Sequence, residues 1–174
     1  MGGLGAQRAL LTVVVLAALG ACAGGSQGAA IAEPEPAPEP PRLAPDEVRE
    51  AARGAVEQYR QAYEILTFDG LAPLYAQGPE VEVVAQGIRY TGWEDVESYL
   101  RDLLERADRV RLEVGDLRVV ALGPSGAIAT AEIERSVRGP VMSVDASGVL
   151  SLTFRLDEDR WRIVSEHLSY TAER

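Results

Sequence analysis

Reactive side chains are scarce in this chain of 174 residues, which carries one cysteine (Cys22), one histidine (His167) and 17 arginines but no lysine. Without a lysine amine there is no Schiff-base nucleophile and no P-loop phosphate ligand. A lone thiol cannot close an intramolecular disulfide. One His with one Cys also falls short of the ligand set of a zinc site, and no D-x-D-x-D-G loop offers a calcium site. No metal and no cofactor is therefore expected. His167 is the one imidazole, the side chain whose charge changes near neutral pH, and it stands beside Glu166. In a cleft, such a pair could act as general base and partner.

The remaining candidates are large side chains with polar handles. Tyr63, Trp93 and Trp161, together with His167, are the residues expected to line any apolar pocket, with core packing as the ordinary alternative for each. Glu132 and Glu134 alternate with Ala131 and Ile133, the pattern of a solvated sheet face.

Charge narrows the partners. The formal net charge is −10. Every acid lies after residue 22, so removal of Arg8 with a leader would leave 27 acids against 16 arginines, or −11. Such a surface repels phosphate backbones, and nucleic acid is not an expected partner. The same sign opposes electrostatic docking on anionic lipid. Membrane attachment would need another source.

The N-terminal segment supplies one. Arg8 precedes the apolar run 9–19, followed by Gly20, Ala21 and Cys22. A basic start, a short apolar run and small residues mark a secretory signal, and the run is too short to span a bilayer. Leu19-Gly20-Ala21-Cys22 resembles the bacterial lipobox. The resemblance implies that Cys22 becomes the mature N-terminus and that its thiol receives diacylglycerol. Multiple acyl chains, at about 0.8 kcal/mol per buried methylene, hold firmly. Ala23 lacks the Asp of an inner-membrane retention signal, so the resemblance favours the outer membrane in a cell that has two. Residues 22–45 are rich in Gly, then in alternating Glu-Pro and Ala-Pro. They read as an extended tether without a core. The expected division is a signal peptide over 1–21, a tether over 22–45 and a folded domain over 46–174.

Elements follow from periodicity. Val48, Ala52, Val56, Tyr59, Tyr63 and Leu66 form a helical stripe, opened by Pro45 with Asp46 or Ala44 as cap. A short helix is expected from Leu71 to Ala76, capped by Asp69-Gly70 and stopped at Gly78-Pro79. Two short strands, 80–85 and 88–91, flank Gln86-Gly87. Thr91-Gly92-Trp93-Glu94 reads as a capping box before a third helix. Strand-like segments then cover 109–122, 128–137, 143–156 and 160–170, the first with a bulge near Gly115-Asp116.

This order resembles the nuclear transport factor 2-like superfamily, and its SnoaL-like branch in particular. Gly87-Ile-Arg-Tyr-Thr-Gly92-Trp93-Glu94 and Trp161-Arg-Ile-Val-Ser-Glu-His167-Leu-Ser169 carry the resemblance. It implies an α+β cone: about three N-terminal helices on a strongly bent, mainly antiparallel sheet, with an apolar pocket inside. It also implies a homodimer through the outer sheet face. Members divide into enzymes, ligand carriers and association modules, so fold does not settle function. Isomerase-like and dehydratase-like members place a carboxylate after the short second helix, where this chain has Gly78-Pro79 and then Glu80. The expected role is therefore a membrane-anchored, non-enzymatic module for a small apolar ligand or a partner protein. The alternative is an isomerase, cyclase or dehydratase working through His167.

Overall fold

The stripe of small and aromatic residues from Val48 onward becomes helix α1 (Pro45–Ile65), in a computed structural model that describes residues 43–171. Val48, Ala52, Val56, Tyr59 and Tyr63 are buried along it, and Arg60 bridges Glu57 and Glu64 on the wet side, each at 2.7 Å. Ala44 occupies the cap position, and its N–H donates to the Glu47 carboxylate at 2.7 Å. Leu66 closes the helix in a left-handed conformation (φ 56°).

Helix α2 (Phe68–Leu71) and a 3-10 turn (Ala72–Leu74) follow. The short helix therefore starts before the expected position, with Asp69-Gly70 inside it and Thr67 as its cap. Strands β1 (Glu82–Ala85) and β2 (Ile88–Thr91) form a hairpin around Gln86 (φ 53°) and Gly87 (φ 78°). Two left-handed residues in a two-residue loop match the twist of the flanking strands, and glycine adopts this geometry without strain.

Helix α3 (Trp93–Arg106) is capped at Gly92, not at Thr91 as the capping-box pattern suggested. Thr91 ends β2, and its N–H donates to Asp95 at 3.3 Å. The one-residue displacement arises because Thr91 is paired to Glu82 in the hairpin and its backbone is already extended.

Four long strands complete the domain: β3 (Arg109–Ala121), β4 (Gly126–Gly139), β5 (Met142–Asp157) and β6 (Arg160–Tyr170). Together the strands make one mixed sheet ordered β2-β1-β6-β5-β4-β3, with β1 and β6 parallel and the other neighbours antiparallel. The sheet does not close, and β2 and β3 are its edges. Helix α1 packs on β3, β4 and β6, while α3 lies over β1 and β2. The core is the space between, filled by Leu100, Leu150, Leu152, Phe154 and Ile163 among others.

Two register shifts interrupt the pairing. One lies in β3 between Gly115 and Arg118, where the sequence pattern slips. The other lies in β6: Thr153 pairs with Ser165, but the next residue, Phe154, pairs with Ile163. Val164 is thus the extra residue of a bulge. Since side chains alternate along a strand, one inserted residue exchanges the two faces beyond it.

Candidate functional site

The β6 bulge decides which acid–base groups face inward. Before it, Ile163 is buried; after it, Glu166 and Leu168 are buried and His167 is exposed. Glu166 is the buried charged residue of the core, with 0% exposure. Tyr75 Oη donates to its Oε2 at 2.5 Å and Tyr59 Oη donates to Oε1 at 3.0 Å. The Tyr63 hydroxyl lies 3.2 Å from that of Tyr75, and the Tyr59 and Tyr63 rings pack at 4.6 Å between centroids. Burial pushes the Glu166 carboxyl above its ordinary pKa, against the hydrogen bonds from Tyr75 and Tyr59 and the field of Arg135.

Arg135 enters from the opposite side of the fold. It occupies the inward row of β4, between Ile133 and Val137, both buried. Its guanidinium carbon lies 5.8 Å from the Tyr63 ring centroid, and Nη1 donates to Tyr170 Oη at 2.8 Å. Tyr99 is nearby on α3, stacked on Tyr90 with centroids 4.8 Å apart.

Between this polar base and solvent lies a cavity of about 380 Å³. Its walls come from the β1–β2 hairpin, the C-terminal half of α3, the β4–β5 hairpin and the end of β6. Ile88, Leu103, Val137, Met142 and Val144 give an apolar lining, while Arg135, Tyr90, Tyr99 and Tyr170 supply the polar groups. Asp102 and Arg106 stand on the exposed rim, 3.5 Å apart. All six tyrosines of the chain lie either around Glu166 or on this wall. A mainly apolar concavity of this size with a few converging polar groups fits a small organic ligand.

None of the four residues expected to line a pocket borders this cavity. Tyr63 is buried one layer beneath it, between Arg135 and Tyr75. Trp93 opens α3 and Trp161 lies near the start of β6; both pack partly buried against the core, far along their elements from the mouth. His167 sits between Val84 and Ser151 on the solvent face. On a regular strand His167 and Trp161, six residues apart, would share a face, and the Val164 bulge puts them on opposite ones. Glu80, the acid that follows Gly78-Pro79, pairs with Arg155 at 2.8 Å on the surface. Glu132 and Glu134 are exposed. The lipobox and residues 22–42 of the tether lie outside the described residues, while its last residues, Ala44 and Pro45, cap and open α1.

Arg135 was not among the residues expected to form the site, and Glu166 was expected only as the partner of His167, yet both left a signal. Arg135 is the one charged member of the row Ala131, Ile133, Arg135, Val137. Ile163 and Leu168 are five positions apart, an odd spacing that two residues on one strand face can have only across a bulge.

A family model described as a SnoaL-like domain matches residues 53–173. Among solved structures, a candidate dehydratase of the nuclear transport factor 2-like family from Streptomyces avermitilis superposes with a TM-score of 0.67 at 21% identity, over 75% of this chain and 100% of the other. A superfamily protein from Salmonella enterica gives 0.66 at 16% identity, covering 74% and 94%. A candidate scytalone dehydratase from Novosphingobium aromaticivorans gives 0.63 at 15%, covering 71% and 83%. No curated protein matches by sequence. At these identities the structural likeness is one of fold, while the family match spans the greater part of the chain. The chain belongs to the SnoaL-like domain family, on a nuclear transport factor 2-like fold.

Proposed function

We propose that this chain is a lipoprotein of the bacterial cell envelope, anchored by acyl chains on Cys22, whose SnoaL-like domain binds a small, mainly apolar ligand without converting it. The lipobox sequence and the Pro/Glu-rich tether support the anchor. In a cell with two membranes, Ala23 favours the outer one. The acidic surface supports a role away from nucleic acid.

The cavity lining carries the non-enzymatic part of the reading. Acid–base catalysis needs a proton-transfer group within hydrogen-bond reach of the substrate. The one carboxylate on the wall, Asp102, stands on the rim beside Arg106. Glu166 lies behind Tyr59 and Tyr75, and His167 faces solvent on the other side of the sheet. An isomerase or dehydratase would therefore have to work through Glu166, reached by way of the tyrosines, and no longer through His167. The buried, upward-shifted carboxyl is the observation that favours this second reading.

Native mass spectrometry of the protein purified from its own membranes tests both halves. The expected spectrum shows an acylated N-terminal Cys22 and a retained small molecule. An unmodified thiol would remove the anchor from the proposal. Turnover of the retained molecule that disappears in Glu166→Gln would replace the binding module with an enzyme.

A further inference from the structure

Arg135 is placed oddly for a structural residue. It is half-buried in an otherwise apolar row of β4, and among the described residues no carboxylate lies within ion-pair distance of it. Its guanidinium donates to the Tyr170 hydroxyl and also interacts with that of Tyr99, which leaves several of its five N–H donors unused. Asp102, the acid on the cavity wall, is turned to Arg106. Glu166 is separated from Arg135 by the Tyr63 and Tyr75 side chains and has both carboxylate oxygens engaged by tyrosines. A guanidinium keeps its charge under all ordinary conditions, and a half-buried charge with no carboxylate in direct contact is costly. The planar fork that remains open matches a carboxylate in two-point contact.

We infer that the cavity takes an amphiphilic monocarboxylate, its carboxylate on Arg135 beside the Tyr170 and Tyr99 hydroxyls and its apolar body along Leu103, Val137 and Met142 toward the mouth. This rests on the reading of the cavity as a ligand site. A volume of about 380 Å³ admits roughly a dozen non-hydrogen atoms at about 30 Å³ for each water-sized group. Opposite the Asp102–Arg106 pair the mouth is apolar: Ile88 is 54% exposed, Val144 37% and the adjacent Val141 88%. A tail longer than the cavity would emerge against these side chains, so the carboxylate end enters first.

The test is calorimetric titration of the full chain with 4-phenylbutyrate and, separately, with 4-phenylbutanol, which share a body and differ in the charged head. The wild type is expected to prefer the acid by roughly tenfold or more, as a hydrogen bond to a charged group predicts. Arg135→Met should abolish that preference while leaving the alcohol bound, and Arg135→Lys should keep part of it. Equal affinity for acid and alcohol in the wild type would overturn the carboxylate assignment and leave the ligand site standing. That comparison decides even if Arg135→Met does not fold. Binding of neither compound would overturn the ligand site itself, and an acid preference that persists in Arg135→Met would assign the anion to another group.

Discussion

Tyr75 donates a 2.5 Å hydrogen bond to Glu166 across 91 residues of sequence, tying the turn after α2 to the last strand of the sheet. The contact is reinforced by the backbone: Tyr75 bridges to Ile163, and the Ala76 N–H donates to the Ile163 carbonyl at 2.9 Å. Loss of the hydroxyl in Tyr75→Phe would leave one Glu166 oxygen without a partner in a site closed to water. The expected cost is about 1–3 kcal/mol, read as a lower urea midpoint with an unchanged m-value. A midpoint equal to wild type would mean that water reaches the carboxyl.

Glu166 should also make stability depend on pH. Burial raises its folded-state pKa above the ordinary value of about 4.5, so the folded chain keeps a proton that the unfolded chain releases. The stabilisation is fully present below that ordinary value and is lost as pH rises through the raised one. Glu166→Gln keeps the shape and removes the titration. The stability of the variant relative to wild type should therefore climb with pH across this window, measured by urea unfolding at several pH values. Parallel profiles would show that Glu166 titrates alike in both states.

The end of α3 touches the sheet at Gly139. A Cβ there would overlap the Arg106 carbonyl oxygen, and the Asp108 backbone N–H donates to the Arg138 carbonyl at 2.7 Å in the same place. Gly139→Ala must push the C-terminal turn of α3 away from β4, which widens the cavity mouth. The expected destabilisation is about 1–3 kcal/mol, the range of overpacked sites, and is checked by thermal denaturation. An unchanged melting temperature would place slack between α3 and the sheet.

His167→Ala should be nearly silent. The side chain is exposed and lines no part of the cavity beside Arg135, so stability should stay within about 0.5 kcal/mol and ligand affinity should not change. A large loss of binding in this variant would restore His167 as a site residue.

Local chemistry was enough to read the framework. The stripe on α1, the Gln86-Gly87 turn, the strand over 143–156 and the slip near Gly115 each depend on neighbours a few residues apart, and each appears where the pattern places it. The alternation around Ala131 and Ile133 in β4 was legible in the same way, but the inward place of Arg135 was not among the expectations. Cap positions were less so: Thr91 and Asp69 have the right side chains, but hairpin pairing and an earlier helix start use their backbones differently.

The centre of the domain was decided elsewhere. Whether Glu166 or His167 enters the core depends on one unpaired residue, Val164: Ser165 and Ile163 meet consecutive residues of β5, while Glu166 meets Tyr59 of α1 and Tyr75 of the turn after α2, two segments distant in sequence. Adjacent residues on a strand differ by a half-turn of direction, so a single insertion reverses their roles, and only pairing with distant strands chooses between them.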